Sequence, residues 1–201
     1  MGGRSLKPSL NPTRDVKPIK VKSDGFHSWS EAEIPQFEAR HAIGSKARLA
    51  FSLLLYTGQR RGDVIAMAAN IFATATSMSG SKRPAPSSIF RSIPELDAII
   101  ATAPANMTFL VTEFGKPFTA AGFGNWFRDR CNEAGLRHCS AHGLRKAASR
   151  RLAEFGCTVH EVAAITGHAS LREVQRYTKG ADQKRLATSA VEKIRGRTSG
   201  G

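Results

Sequence analysis

The chain has 201 residues, 41% hydrophobic and 23% charged, which excludes a disordered or fibrous protein and leaves room for one well-buried domain with a tail. Thirty Lys and Arg against 16 Asp and Glu give a net charge of +14, which points to a polyanionic partner, nucleic acid first, because each neutralised phosphate releases condensed counterions. No run approaches the ~18 uninterrupted apolar residues of a membrane span, Met1 to Lys22 lacks the apolar centre of a signal peptide, and Cys131, Cys139 and Cys157 lack CxxC spacing, so a cytoplasmic protein with three reduced thiols is expected, without a disulfide framework or zinc knuckle.

Residues 1–27 combine Pro8, Pro12, Pro18 and Gly25 with scattered basic residues and no apolar periodicity, the pattern of an extended arm or interdomain linker. A folded domain is expected over 28–195 and a fraying tail over 196–201. Three S/T-x-x-E signatures, Ser30 to Glu33, Thr158 to Glu161 and Ser170 to Glu173, each predict a capping box at a helix start. Ala47 to Tyr56 is apolar nearly all round and predicts a buried helix that Gly58 ends in the left-handed conformation. Asp63 to Met67 begins a second short helix. Pro94 to Ile100 and Thr119 to Ala134 have helical spacing, the latter with Phe123, Trp126 and Phe127 on one core-facing stripe and Gly135 as its stop. Further short helices are predicted over Ala141 to Phe155, Val159 to Thr166, Leu171 to Thr178 and Asp182 to Ile194, separated by Gly156, Gly167 and Gly180. Only Phe109 to Thr112 and the stretch between Met67 and Ile93 remain for strands. The fold class is therefore mainly α with a small β-sheet.

Breaking a phosphodiester without a metal needs a nucleophile, planar cations for the phosphoryl oxygens, and proton donors. His142 and Arg145 stand three apart on the first turn of a helix and can meet one phosphate together. Tyr177 lies between Arg176 and Lys179 in a polar setting, whereas Tyr56 ends an apolar helix and reads as core. Arg60 precedes Asp63 in Thr57-Gly58-Gln59-Arg60-Arg61-Gly62-Asp63, and His168 follows Gly167.

Taken in this order, these residues resemble the tyrosine recombinases, or phage integrases, from about Ser28 to Lys184. The strongest part is AHGLRKAASRRLAEFGCTVHEVAAITGHASLREVQRYTK, with HxxR, GH and the final tyrosine, while TGQRRGDV resembles the first arginine box. The resemblance implies the integrase catalytic-domain fold and a site-specific recombinase acting on double-stranded DNA, with no cofactor and no metal. It implies that Tyr177 attacks the phosphate to form a 3′-phosphotyrosyl link, that Arg60 and Arg145 clamp its oxygens, that His142 acts as general acid or base, that His168 hydrogen-bonds the phosphate, and that Asp63 supports Arg60. The family docks its C-terminal helix on a neighbouring subunit; Leu186, Ala190 and Ile194 suit such a partner groove or the chain's own core equally.

Two departures stand out. The family's N-terminal DNA-clamp domain is not in this sequence, so a truncated product with reduced DNA affinity is expected. The family's hairpin with its catalytic lysine falls on 69–92, where alternation is poor and Pro84 and Pro86 cannot donate to a ladder. Lys82 stands near the expected place of that lysine and reads equally well as a solvated loop residue. One hypothesis is that this segment is read out of frame, since permitted codons in another frame give an alternating hairpin with an Asp-Gly turn; codons incompatible with it would end the idea. The competing readings are a catalytically inactive DNA-binding remnant, a topoisomerase IB-like relaxing enzyme, and, at much lower weight, a metal-dependent nuclease using Cys139, His142 and His168.

Overall fold

The computed structural model describes residues 25–67, 93–103 and 108–198, which hold eight helices. In chain order these are α1 (Glu33–Arg40), α2 (Lys46–Thr57), α3 (Arg61–Ala66), α4 (Pro94–Ala101), α5 (Ala120–Glu133), α6 (Ala141–Glu154), α7 (Val159–Thr166) and α8 (Leu171–Thr198). The expected mainly helical class is observed. The β pairing present among the described residues is one antiparallel bridge between Val111 and Pro117. The hairpin segment 69–92, with Lys82, Pro84 and Pro86 and the frame question, lies outside them, as does nearly all of the arm. No described helix is long and apolar enough to cross a membrane.

Helix α2 is the axis of the core. Its apolar residues are buried on every face, from Ala47 and Leu49 through Phe51, Leu53 and Leu54 to Leu55, as its uniform hydrophobicity predicts. Phe51 stacks on Phe37 of α1 at 4.7 Å between ring centroids, and Phe37 reaches Phe127 of α5 at 5.7 Å. Trp29 closes this cluster against Phe51 at 5.4 Å and donates its indole N–H to the Ser140 carbonyl at 2.9 Å. That bond gives a fully buried Trp its polar partner.

The caps follow the sequence in two cases and depart from it in a third. Thr158 and Glu161 close a reciprocal capping box at α7, and Ser30 and Glu33 exchange the same pair of bonds at 2.6 and 3.4 Å just ahead of α1. Ser170 and Glu173 do not: the Glu173 carboxylate accepts a hydrogen bond from Tyr177 one turn along α8 instead. The other correction is at Gly180, expected to separate two helices but lying inside the continuous α8. The Thr178 hydroxyl donates to Asp182 across it at 2.9 Å, and Asp182 pairs with Arg185, so side chains span the glycine. A helical Gly costs only about 1 kcal/mol.

Gly143 shows how tightly the start of α6 is clasped by the segment before α1. A Cβ there would lie 2.2 Å from the His27 carbonyl oxygen and 2.9 Å from Trp29 Cδ1. Gly143→Ala would gain about 1 kcal/mol of helix propensity, yet the clash is with backbone and a buried ring, and overpacking of that kind costs about 1–3 kcal/mol. Net destabilisation is expected, read as a lower thermal midpoint together with a changed Trp fluorescence maximum; an unchanged or raised midpoint would contradict this packing.

Candidate active site

Arg145 is set by three helix ends. It sits on the first turn of α6, 3% exposed, and one guanidinium nitrogen, Nη1, donates to the Gly58 carbonyl at 2.7 Å and to the Thr166 carbonyl at 2.5 Å. Those carbonyls are the orphan acceptors that the C-terminal ends of α2 and α7 leave. Gly58 takes φ +60°, and a Cβ there would come within 2.7 Å of Thr166 Cγ2, so only glycine lets the two helix ends meet over the guanidinium. The second nitrogen, Nη2, is buried and has no protein partner. Burial, and then the Arg60 charge, lower the Arg145 pKa, while Glu173 and Asp63 oppose the shift. A guanidinium remains protonated throughout.

Chain continuing from Gly58 enters α3 through Arg60, its N-cap residue. Arg60, Arg61, Asp63, His142, Arg145 and Glu173 line one cleft of about 700 Å³, shared with Arg128 of α5. The two arginines named from the sequence thus open onto the same space. Asp63 donates its backbone N–H to the Arg60 carbonyl at 2.9 Å, and no side-chain ion pair joins the two; its charge acts at Arg145 instead. His142 lies over the mouth, its ring 4.9 Å from that of Phe26. Partial burial, then the charges of Lys146 and Arg145, lower its pKa, which favours the neutral form able to take up a proton.

His168 and Tyr177 stand beyond Glu173, beside the cleft rather than on its wall. Their rings are 5.9 Å apart. The Tyr177 hydroxyl donates to Glu173 Oε1 at 3.1 Å, and the same oxygen is 3.7 Å from His168 Nε2. Lys146 Nζ sits 5.4 Å from the centre of the Tyr177 ring. Burial, followed by the Glu173 charge and hydrogen bond, raises the Tyr177 pKa. Tyr177 is part-buried, with its hydroxyl at the edge of the site. Sequence reading missed Glu173 as a site residue: its i, i+4 spacing to Tyr177 was visible, but the capping signature with Ser170 competed for it.

The lowest-weight reading fails on geometry. Cys139 faces Glu33, and among the described residues Cys139, His142 and His168 do not form a convergent ligand set.

His168 Nδ1 is within 2.5 Å of the Thr166 hydroxyl, which donates to the Val162 carbonyl at 2.7 Å. With that hydroxyl proton committed to Val162, Nδ1 carries the ring proton and Nε2 is left as a buried acceptor without a hydrogen-bond partner. Burial, then the Arg145 charge, lower the His168 pKa to about 4. An unfolded histidine titrates near 6.5; below that the unfolded chain takes up a proton that the folded one refuses, so stability falls as pH drops from about 6.5 towards 4. Between about pH 7 and about pH 5 this group alone should remove about 2 kcal/mol. Thermal midpoints at the two pH values check it: His168→Asn should lose distinctly less than the parent chain, and equal losses would refute the assignment.

Comparison with known proteins places this geometry. Nothing matches among curated proteins. The fold is similar to that of XerA recombinase, with a TM-score of 0.58 at 22% identity over 86% of this chain and 67% of that one. It is similar to the Tn1549 transposon integrase in complex with transposon right end DNA, with 0.56 at 15% identity over 87% and 70%. It also resembles XerH site-specific recombinase bound to palindromic difH substrate in a post-cleavage complex, with 0.53 at 20% identity over 83% and 53%. The profile described as phage integrase family matches residues 88–184, the stretch that carries His142, Arg145, His168 and Tyr177. Over those residues the chain is similar to that family, the tyrosine recombinases.

Proposed function

We propose that the chain is a site-specific recombinase that cuts and rejoins double-stranded DNA through a 3′-phosphotyrosyl intermediate. The observation that carries this reading is the unpartnered Arg145 Nη2 in a cleft shared with Arg60 and His142, with the Tyr177 hydroxyl one carboxylate away. A buried guanidinium N–H without an acceptor is costly unless a ligand oxygen completes it, and phosphoryl oxygens fit its planar fork. In the proposed step the Tyr177 oxygen bonds to phosphorus and its proton passes to a base, a task open to neutral His142. The 5′ oxygen leaves and is protonated, the role proposed for Lys82. Arg60 and Arg145 hold the charge that grows on the phosphoryl oxygens, and the ester conserves the energy for religation. No metal and no cofactor enters the scheme. We place the reaction in the cytoplasm, on nucleoid DNA, with 28–195 as the catalytic unit and 1–27 as its basic arm.

The same reading assigns the far end of α8 to a second copy of the chain on DNA. Leu186 and Val191 are 59 and 47% exposed there, which supports a surface available to a partner. A remnant that binds DNA without cutting it is the second reading, and Glu173 is the feature that favours it. Its carboxylate engages Tyr177 on the border of the space a phosphate would take.

A nicked suicide substrate separates the two. A covalent protein–DNA adduct is expected on a denaturing gel, unaffected by EDTA and absent in Tyr177→Phe; a folded protein that binds the substrate but yields no adduct would leave the remnant reading standing. Glu173→Gln removes the resident negative charge while leaving an amide oxygen that can still accept from Tyr177, so adduct formation should accelerate on the order of tenfold, equivalent to about 1.4 kcal/mol. Slower adduct formation in that variant would mean that the carboxylate helps to place the nucleophile.

A further inference from the structure

Near the start of α6, four side chains converge that the proposed chemistry does not use. His27 precedes α1, Glu33 opens it, and His138 and Cys139 lie in the turn before α6. One ligand atom from each falls within 4.8 Å of all the others. His27 Nε2 is 2.9 Å from both Glu33 oxygens, and His138 Nε2 is 2.5 Å from Oε1. The two imidazoles meet edge to face at 4.7 Å. Cys139 closes the group from beneath, 3% exposed.

We propose that His27, Glu33, His138 and Cys139 form a structural Zn²⁺ site that fastens the basic arm to the start of α6. The donor set suits zinc: one thiolate, one carboxylate and two neutral imidazoles balance the dication, and the mixture of soft and borderline donors disfavours Mg²⁺ and Ca²⁺. Bonds of about 2.0 Å to nitrogen or oxygen and about 2.3 Å to sulfur set tetrahedral donor–donor edges of about 3.3–3.5 Å. The present separations bracket those edges, so Glu33 has only to draw back from the imidazoles as the more distant donors close in. Four protein ligands leave no open position, which marks a structural rather than a catalytic site.

The groups are poised for exchange of protons for metal. Burial raises the Glu33 pKa, but the Ser30 backbone N–H and the imidazoles of His27 and His138 outweigh it and hold the carboxyl at about 2. The Cys139 thiol is pushed up to about 12 by burial and then by the Glu33 charge. A bound dication reverses that second balance and strips the thiol proton. Ser30 donates to Glu33 Oε2, so Oε1 can serve as ligand while the bond at the start of α1 is kept.

Co²⁺ titration of the EDTA-stripped chain tests the site. One equivalent should bind, with intense visible d–d bands of a tetrahedral ion and a near-ultraviolet thiolate-to-metal band, and Zn²⁺ should displace it. Cys139→Ser should lose the near-ultraviolet band. His138→Ala, an exposed position whose change leaves the core intact, should weaken binding at least about a hundredfold, since even the hydrogen-bond partners of ligands are worth about 10–100-fold. Thermal midpoints of the apo variants confirm that they fold. Absence of stoichiometric uptake by the parent chain, or uptake with unchanged spectrum and affinity in both variants, overturns the proposal.

Discussion

The architecture of the site depends on one buried cation. Arg145 occupies the place where the C-terminal ends of α2 and α7 meet α6, and its Nη1 satisfies a carbonyl from each of the two. Removing a charge from water costs several kcal/mol unless it is well partnered, and here the partners are backbone groups that would otherwise be orphaned at helix ends. The bond therefore works in both directions: the helices hold the guanidinium still, and the guanidinium fixes the angle at which they meet. Arg60 follows two residues after Gly58 and His168 two after Thr166, so each of Arg145's acceptors is the anchor of another site residue. Placement of three polar side chains reduces to one junction.

That junction has an electrostatic consequence. Arg145 Nη2 and His168 Nε2 are both buried and unpartnered, while Glu173 is the carboxylate that acts on His142, Arg145, His168 and Tyr177 alike. Its negative charge partly offsets the cations of the ligand-free cleft and keeps Tyr177 in the phenol form. In the proposed function a phosphate would supply the same sign of charge to the same cations, and the two anions would compete. The carboxylate is on the same helix as Tyr177, one turn away, so in the proposed reaction any displacement of it would also release the tyrosine hydroxyl.

Much of this was legible in the sequence where local chemistry decides. The α7 range, the Thr158–Glu161 box, the all-round burial of α2 and its Gly58 stop follow from periodicity and cap residues whose competitors are weak. The order of Arg60, His142, Arg145 and His168 was readable because each lies at a helix end marked by glycine or a capping residue, and Tyr177 because it follows His168 in a polar stretch. What escaped was set by choices between partners, or by contacts far apart in the chain. Gly180 reads as a break, and only the Thr178–Asp182 bridge, itself a side-chain choice, tells otherwise. Glu173 had two possible partners at helical spacing, and in the structure it accepts from Tyr177. The His27, Glu33, His138 and Cys139 cluster joins the arm to a turn on the other side of the core, a pairing no local spacing announces.

The arm itself had been read as a featureless linker, yet its last residues behave as part of the domain. Neighbouring side chains there serve opposite sides: Phe26 packs on His142 at the cleft, and His27 turns to Glu33 and His138. The backbone between them is held as well, by Lys146 donating to the Phe26 carbonyl and by the close approach of Gly143 to that of His27. Lys146 also lies over the Tyr177 ring, so the chain that enters the domain touches the nucleophile through one side chain. Loss of grip at residues 26–27 would free His142 to reorient and remove the partner that holds Lys146 over the tyrosine. Under the proposed function and the proposed metal site, tightening that grip would narrow the conformations open to His142. The placing of His142 and of Lys146 is therefore coupled through the single peptide unit that joins Phe26 to His27.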